Sequence, residues 1–322
     1  MSHTNMSQAK NLDKCKIEHD KIRQFKEGLP EITRSIIDSC SDPSCFNHID
    51  YEPIPSRKNV IRIINRFMEL LFPGYFSQKT VDPTNLTYSV GDAVISLYND
   101  LTEQIILSVR HDCFRYGVPC TDCEKRGHNA ALKLFTAVPE IKRVLSEDVR
   151  AMYDGDPASH SHDEIIFSYP GLFAIAVYRV ANILYHLNVP LLPRIMTEYA
   201  HSETGIDIHP GATIGRRFAI DHGTGVVIGQ TTVIGDNVRI YQGVTLGALS
   251  LPPNCGEEFK GSKRHPTIED NVIIYSGATI LGGDAVIGKN AVIGGNVWLT
   301  ESVPPNTKVF LEQPKLIYKN GG

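Results

Sequence analysis

Residues 226–247 read VVIGQTTVIGDNVRIYQGVTLG, and they repeat one unit of six residues. Ile228, Ile234, Ile240 and Leu246 stand at every sixth position, and a glycine follows three of them. The period reaches upstream through Ile208, Ile214 and Ile220, and returns after a break at Ile268 and Ile274. It then slips by one residue and resumes at Leu281, Ile287, Ile293 and Leu299. A helix repeats near 3.6 residues and a strand near 2, and neither sustains six. A parallel β-helix of hexapeptide units does. Each unit is a short strand and a turn, three units close one coil, and the apolar residue points inward. Gly, Asp or Asn beside it suits a turn where φ is positive or space is short.

The pattern upstream is helical. Val60, Ile61, Ile63, Ile64, Phe67, Leu70 and Leu71 predict a helix ended by Pro73-Gly74. Val94, Leu97, Tyr98, Leu101 and Ile105 predict a second. Ile141, Val144, Leu145 and Val149 predict a third, entered through Pro139 as a first-turn proline. Two more are expected over about 171–187 and 193–203. The fold class is therefore α+β, with an N-terminal α-helical domain over 1–204 and a β-helix over 205–310. A short tail, 311–322, follows. Residues 1–50 are polar, weakly patterned and expected to be partly flexible. Two interruptions break the repeat. Asp221-His222-Gly223-Thr224-Gly225 inserts two residues between Ile220 and Ile228, and a loop runs from about 248 to 266. Long loops in compact domains are commonly functional.

The 322 residues suffice for a large core, and 42% hydrophobic and 21% charged residues are ordinary for a globular protein. A net charge of −4 gives no reason to expect nucleic acid or an anionic membrane as partner. The first residues lack the apolar core of a secretory signal. The most apolar stretch, Pro170 to Ile195, is interrupted by Arg179, Asn182 and His186, so no membrane span is expected. Seven scattered cysteines are not a disulfide framework and read as a reducing, cytoplasmic setting.

His222 stands in the first interruption, after Asp221 and between glycines, and Asp207 lies about one coil earlier. A carboxylate on one imidazole nitrogen fixes the tautomer and leaves the other nitrogen as a base for a hydroxyl. A histidine satisfying backbone groups in a turn fits the same spacing. Arg264-His265-Pro266 closes the long loop. An arginine fork suits a carboxylate, and a plain surface arginine fits equally. Asp156, ahead of the fourth helix, offers a carboxylate for an ammonium group or simply starts a turn. Cys113, Cys120, Cys123 and His128 make C-x6-C-x2-C-x4-H. One half of a zinc motif is present without the second, so free thiols are expected and no metal.

These residues bring the chain close to a known family. Gly-Asp-Pro-Ala at 155–158, Tyr-Pro-Gly-Leu-Phe-Ala at 169–174 and Gly-Ile-Asp-Ile-His-Pro-Gly-Ala at 205–212 resemble the serine O-acetyltransferases of cysteine biosynthesis. So do Ile-Asp-His-Gly-Thr-Gly-Val-Val-Ile-Gly at 220–229, Tyr-Gln-Gly-Val-Thr-Leu-Gly at 241–247 and Lys-Arg-His-Pro at 263–266. The resemblance covers roughly 148–311, and the residues before it resemble the long N-terminal form. It implies a left-handed β-helix in a homotrimer, two of which can pair, with active sites between subunits. It implies acetyl transfer from acetyl-CoA to L-serine and feedback inhibition by L-cysteine. His222 matches the general base and Asp207 its orienting partner. Asp156 and Asp221 match the ammonium site, and Arg264 with His265 the carboxylate anchor. Gly247, Ala248, Tyr275, Ser276 and Gly295 fall where the family meets CoA.

Three departures accompany it. Gln230 stands where the family commonly has an acidic residue, and the loop before Arg264 is longer than in short bacterial forms. The last residues, Lys-Leu-Ile-Tyr-Lys-Asn-Gly-Gly, lack the terminal isoleucine that inserts into O-acetylserine sulfhydrylase, so that complex is not expected. Competing readings are a sugar or antibiotic acetyltransferase, which has no use for a carboxylate anchor, and a zinc enzyme of the γ-carbonic-anhydrase type. The latter would need His209, His222 and His265 to converge. A non-enzymatic scaffold would bind no acetyl-CoA.

Overall fold

From Leu29 to Thr204 the described elements are helices, and short parallel strands follow. The computed structural model describes residues 18, 21–23, 25–42, 44–49, 53–77, 80–119, 121–249 and 261–312. The last ten residues, Cys120 and most of the long loop lie outside them. The chain divides into two units, 1–52 and 53–322, so the helices from Pro53 onward and the strands form one unit. In the first unit, α1 (Leu29–Cys40) carries Leu29, Ile32, Ile36 and Ile37 exposed.

In the second unit, α2 (Arg57–Leu71) starts where the Ser56 side chain accepts from the Asn59 N–H. Its buried stripe is Val60, Ile63, Ile64, Phe67, Leu70 and Leu71, the helical spacing read in the sequence. Next come α3 (Leu86–Tyr116), closed by Gly117 at φ +62°, and α4 (Cys123–Gly155). Pro139 does not open a helix as expected but sits inside α4. A proline costs a helix one N–H bond, and packing of Val138, Ile141, Leu145 and Val149 on either side holds α4 continuous. A short α5 (His162–Ser168), absent from the sequence reading, is capped by Ser161. Then follow α6 (Pro170–His186) and α7 (Leu192–Thr204). No single helix among the described residues is long and apolar enough to cross a membrane. Leu172, Ile175, Val177 and Leu184 of α6 are buried.

The strands run β1 (Asp207–Ile208), β2 (Thr213–Ile214), β3 (Ala219–Asp221), β4 (Val227–Ile228), β5 (Val233–Ile234), β6 (Arg239–Tyr241) and β7 (Thr245–Gly247). After the loop come β8 (Thr267–Ile268), β9 (Ile273–Ile274), β10 (Thr279–Leu281), β11 (Val286–Ile287), β12 (Val292–Ile293), β13 (Trp298–Leu299) and β14 (Lys308–Val309). They form three parallel sheets, β1-β4-β7-β10-β13, β2-β5-β8-β11 and β3-β6-β9-β12-β14. Each strand lies over the third one before it until the last turn, so the sheets are three faces of a prism wound as a left-handed β-helix. Ile208, Ile228, Leu246 and Ile280 stack inside the first face. Ile214, Ile234, Ile268 and Ile287 fill the second, and Ile220, Ile240, Ile274 and Ile293 the third. Burying each contributes about 1.5–3 kcal/mol.

Register locates every irregularity. Val227 pairs with Thr245, the plain coil of eighteen. Asp207 pairs with Val227, two residues more, as the Asp221–Gly225 insertion requires. The one-residue slip lies elsewhere than read from the sequence. Ile280, fully buried, pairs with Leu246, whereas Leu281 pairs with Gly247 and points outward. The extra residue therefore falls after Ile280, where Gly282 takes φ +106°. Between the second and third faces, Asn237, Asn271, Asn290 and Asn306 all take φ between 57° and 61°. Their side chains form a ladder: each Nδ2 donates to the next Oδ1, at 2.9, 3.1 and 2.8 Å. Asparagine tolerates this left-handed turn, and its amide satisfies its neighbour.

Helices and prism are joined by a buried ion pair. Asp148 on α4 is fully buried and accepts from Arg179 Nε at 2.8 Å and Nη2 at 3.0 Å, and from the Phe218 N–H at 2.9 Å. Arg179 on α6 also donates to the Gly215 carbonyl at 2.9 Å.

Candidate active site

The two-residue insertion throws His222 outward. His222 takes φ +56° and Gly223 +87°, a pair of left-handed residues that only this turn requires. A Cβ on Gly223 would meet Ile206 Cδ1 at 2.4 Å, so glycine is needed there. The imidazole is consequently 76% exposed, with Nε2 3.8 Å from Asp221 Oδ1. On its other side Asp221 Oδ2 faces Arg239 Nη1 at 3.9 Å.

Asp156 caps the end of α4 and belongs to the same cluster. It accepts from the Tyr169 hydroxyl at 2.5 Å and the Ala158 N–H at 2.9 Å. These two bonds, the tyrosine's first, hold its carboxyl below the usual range, and the charges of His222 and Arg239 add to them. Burial first, and then Asp156, push the Tyr169 hydroxyl up to about 12, with Asp221 contributing. Tyr169 and Arg239 escaped the sequence reading. Tyr169 precedes Pro170 at the start of α6, and thirteen residues and a helix separate it from Asp156, so no periodicity links them.

This cluster lies on the edge between the third and first faces. Further along that edge come Gln242 and Gly243, then Tyr275, Ser276 and Gly277, then Gly295 and Asn296. Backbone bonds align them: Gly243 N to Thr224 O at 2.9 Å, Gly277 N to Gln242 O at 2.9 Å and Asn296 N to Ser276 O at 2.9 Å. Tyr275 stacks on Tyr241, ring centres 5.1 Å apart. Any Cβ on Gly295 would press on the Ser276 carbonyl at 3.1 Å. Tyr275, Ser276 and Gly295 thus share an edge with His222.

Arg264, His265, Gly247 and Ala248 occupy the other edge of the first face. The His265 Nδ1 accepts from the Thr231 N–H at 3.2 Å and faces the Thr231 hydroxyl at 2.8 Å, so its proton is on Nε2. The Thr231 hydroxyl oxygen accepts the N–H groups of Arg264 and His265 at 2.9 and 3.1 Å. Arg264 Nη2 donates to Gln230 Oε1, and Gln230 Nε2 donates to the Tyr185 hydroxyl at 2.7 Å. Burial, followed by Arg264 and Lys263, pulls the His265 pKa down to about 4. His209, its Nδ1 taken by the Gly211 N–H at 3.0 Å, is likewise pulled to about 4, first by burial and then by Arg194 and Arg264. Both rings are neutral at physiological pH.

Asp207 lies between these edges, at the start of β1 on the outer side of the first face. Its carboxylate does not reach His222. Its near charge is Arg194 Nη1 at 3.7 Å, on α7, yet its Oδ1 is buried and accepts no hydrogen bond among the described residues. Glu198, His201 and Asp207 offer ligand atoms within 4.8 Å of one another. Arg194, paired to Glu198 at 2.5 Å, already places a cation in that group. His209 and His265 share one edge and His222 holds the other, so the three histidines do not converge within the chain. In the cysteine motif, Cys113 and Cys123 meet at 3.7 Å, whereas His128 pairs with the Tyr98 hydroxyl at 2.9 Å and Cys120 lies outside the described residues.

No family model matches the chain. It is similar to a plasmid-encoded serine acetyltransferase of Synechococcus elongatus, 45% identical over 90% of this chain and 92% of the relative. Its structure is similar to the crystal structure of serine acetyltransferase isoform 3 of Entamoeba histolytica in complex with cysteine. That likeness has a TM-score of 0.69 and 35% identity, and covers 92% of this chain and 96% of that one. The serine acetyltransferase of Neisseria gonorrhoeae, solved in complex with serine, matches at a TM-score of 0.51 and 26% identity, over 79% of this chain and 97% of that one. The chain belongs to the serine acetyltransferase family.

Proposed function

We propose that the chain transfers the acetyl group of acetyl-CoA to the hydroxyl of L-serine, giving O-acetyl-L-serine and CoA. The observation that carries this reading is an exposed imidazole, thrown out by a two-residue insertion, beside two carboxylates. Asp156, held ionised by Tyr169, and Asp221 receive the serine ammonium. His222 takes the hydroxyl proton as the oxygen attacks the thioester carbonyl, and returns it to the departing CoA sulfur. Asp207 orients the ring. Its backbone N–H bonds the Val226 carbonyl at 2.9 Å, so it neighbours the His222 turn, and its Oδ1 awaits a donor.

Arg264 binds the serine carboxylate, with His265 beside it. These residues sit on a different edge from His222, so one chain does not hold a complete site. We infer a homotrimer in which the Arg264 edge of one subunit faces the His222 edge of the next. A pair of such trimers is compatible with it. CoA then runs along Tyr275, Ser276 and Gly295 of one subunit and Gly247 and Ala248 of its neighbour, met largely by backbone. No metal takes part in this scheme. L-Cysteine, bound in the Entamoeba histolytica relative, differs from serine by sulfur for oxygen and fits the same ammonium and carboxylate groups, which makes it the expected inhibitor. The reaction belongs in the cytoplasm.

The test is CoA release from acetyl-CoA with L-serine, with serine omitted, and with D-serine, a sugar or chloramphenicol in its place. Serine-dependent release that falls about 10²–10⁴-fold in His222→Ala, with the fold kept, is the expected result. Near-normal turnover in that variant would remove the base, and release with another acceptor alone would make the protein a sibling acetyltransferase.

A further inference from the structure

Cys113 lies in the last turn of α3, and Cys123 opens α4. They face each other at the tip of a helical hairpin, sulfurs 3.7 Å apart, each residue 5% exposed. The tip is held from several sides. The Val118 N–H returns to the Cys113 carbonyl at 2.9 Å, Gly117 makes the left-handed turn, and Arg110 on α3 pairs with Glu124 on α4 at 2.8 Å. These contacts hold the end of α3 against the start of α4, where the two thiols face each other. A disulfide needs the sulfurs at about 2.0 Å, so closing it draws the two sulfurs in from 3.7 Å. His128, the remaining described member of the motif, meets the Tyr98 hydroxyl through Nδ1 at 2.9 Å, and Cys113 and Cys123 face each other as a dithiol pair.

We propose that Cys113 and Cys123 form a dithiol site that hydrogen peroxide oxidises to an intramolecular disulfide. Two S–H bonds and the peroxide O–O bond break, one S–S bond forms, and the protons leave in two waters. Sulfur is oxidised and peroxide oxygen reduced. The new bond staples α3 to α4 and removes freedom from the unfolded chain. It leaves the acetyl-transfer groups alone, because Asp156 lies at the other end of the 33-residue α4, about 50 Å along the helix. The proposal is independent of the reaction assigned above.

The test uses the full chain, reduced, freed of reductant, and treated with hydrogen peroxide. Proteolysis without reduction, followed by mass spectrometry, should give one linked peptide joining Cys113 to Cys123, lighter than its two parts by two hydrogens. The unfolding midpoint should rise by about 5 °C and fall back with dithiothreitol. Cys113→Ser and Cys123→Ser should each abolish the link and the shift while keeping the helical circular dichroism. A link through Cys120 or between molecules would overturn the proposal. So would both thiols remaining open to alkylation after peroxide, or stoichiometric zinc on the purified protein that blocks oxidation.

Discussion

Replacing Arg179 with alanine would strand the Asp148 carboxylate in the seam between α4, α6 and the first coil. Asp148 is fully buried and would keep only the Phe218 N–H of its present three donors. Gly215 O would lose its guanidinium donor as well. Breaking one side of a buried pair costs about 3–5 kcal/mol, because an uncompensated charge is left behind. The cost should depend on pH, with a sign set by burial. Burial already raises the Asp148 pKa against the pull of Arg179, and removing the arginine raises it further. A carboxyl whose folded pKa is raised favours the fold below its unfolded pKa, near 3.9, and loses that contribution as pH rises through the folded pKa. The deficit of Arg179→Ala against the parent should therefore be largest near neutrality and shrink on acidification. Denaturant titrations followed by circular dichroism at about pH 7.5 and about pH 5 measure it. The double variant Asp148→Leu, Arg179→Met should recover most of the loss, since an apolar pair of similar volume replaces a buried ion pair at little cost. A cost below about 1 kcal/mol, or an equal cost at both pH values, would refute the reasoning.

Arg264→Ala should raise the KM for serine more than that for acetyl-CoA in steady-state kinetics; the reverse would take Arg264 off the carboxylate. Tyr169→Phe removes the first cause of the lowered Asp156 pKa, so the acid limb of kcat/KM for serine should move to higher pH. An unmoved limb would separate Asp156 from serine binding. His209 and His265, with folded pKa values near 4 against about 6.5 unfolded, contribute stability above pH 6.5 that is lost as pH falls through 4. Acid denaturation should show proton uptake in that window, and NMR should find neither ring titrating above about pH 6. Asn271→Ala should cost about 1–2 kcal/mol for its left-handed turn together with two amide bonds, and Asn271→Gly less, by denaturant midpoint.

The six-residue period exposes the prism because inward positions of the strands favour branched apolar residues, and it places the two-residue insertion. It misplaced the slip, since Ile280 and Leu281 are both apolar and only pairing with Leu246 says which is inside. Helices with an apolar stripe were legible, whereas α5, with Ile165 alone buried, gave no stripe to read. Proline favours first turns, which points to a helix start at Pro139; packing around it prevails and keeps it inside α4. At the site, the residue types were visible in Asp221, His222, Arg264 and His265. Their assembly was not. The Tyr169–Asp156 bond, the Gln230 bridge from Arg264 to Tyr185, and the Arg194 partner of Asp207 are contacts between elements far apart in sequence, and no local pattern encodes them.

The long loop leaves no trace in the prism that carries it. Thr245 on β7 pairs with Thr279, and Val233 with Thr267, so the coils close around the loop as though it were a single turn. The barrel sets where the loop leaves and returns and is indifferent to how many residues travel between. Lineages can therefore lengthen, shorten or rewrite that segment in single steps without re-threading a coil. The part of the chain that ends at Arg264 is thus also the part most open to evolutionary experiment.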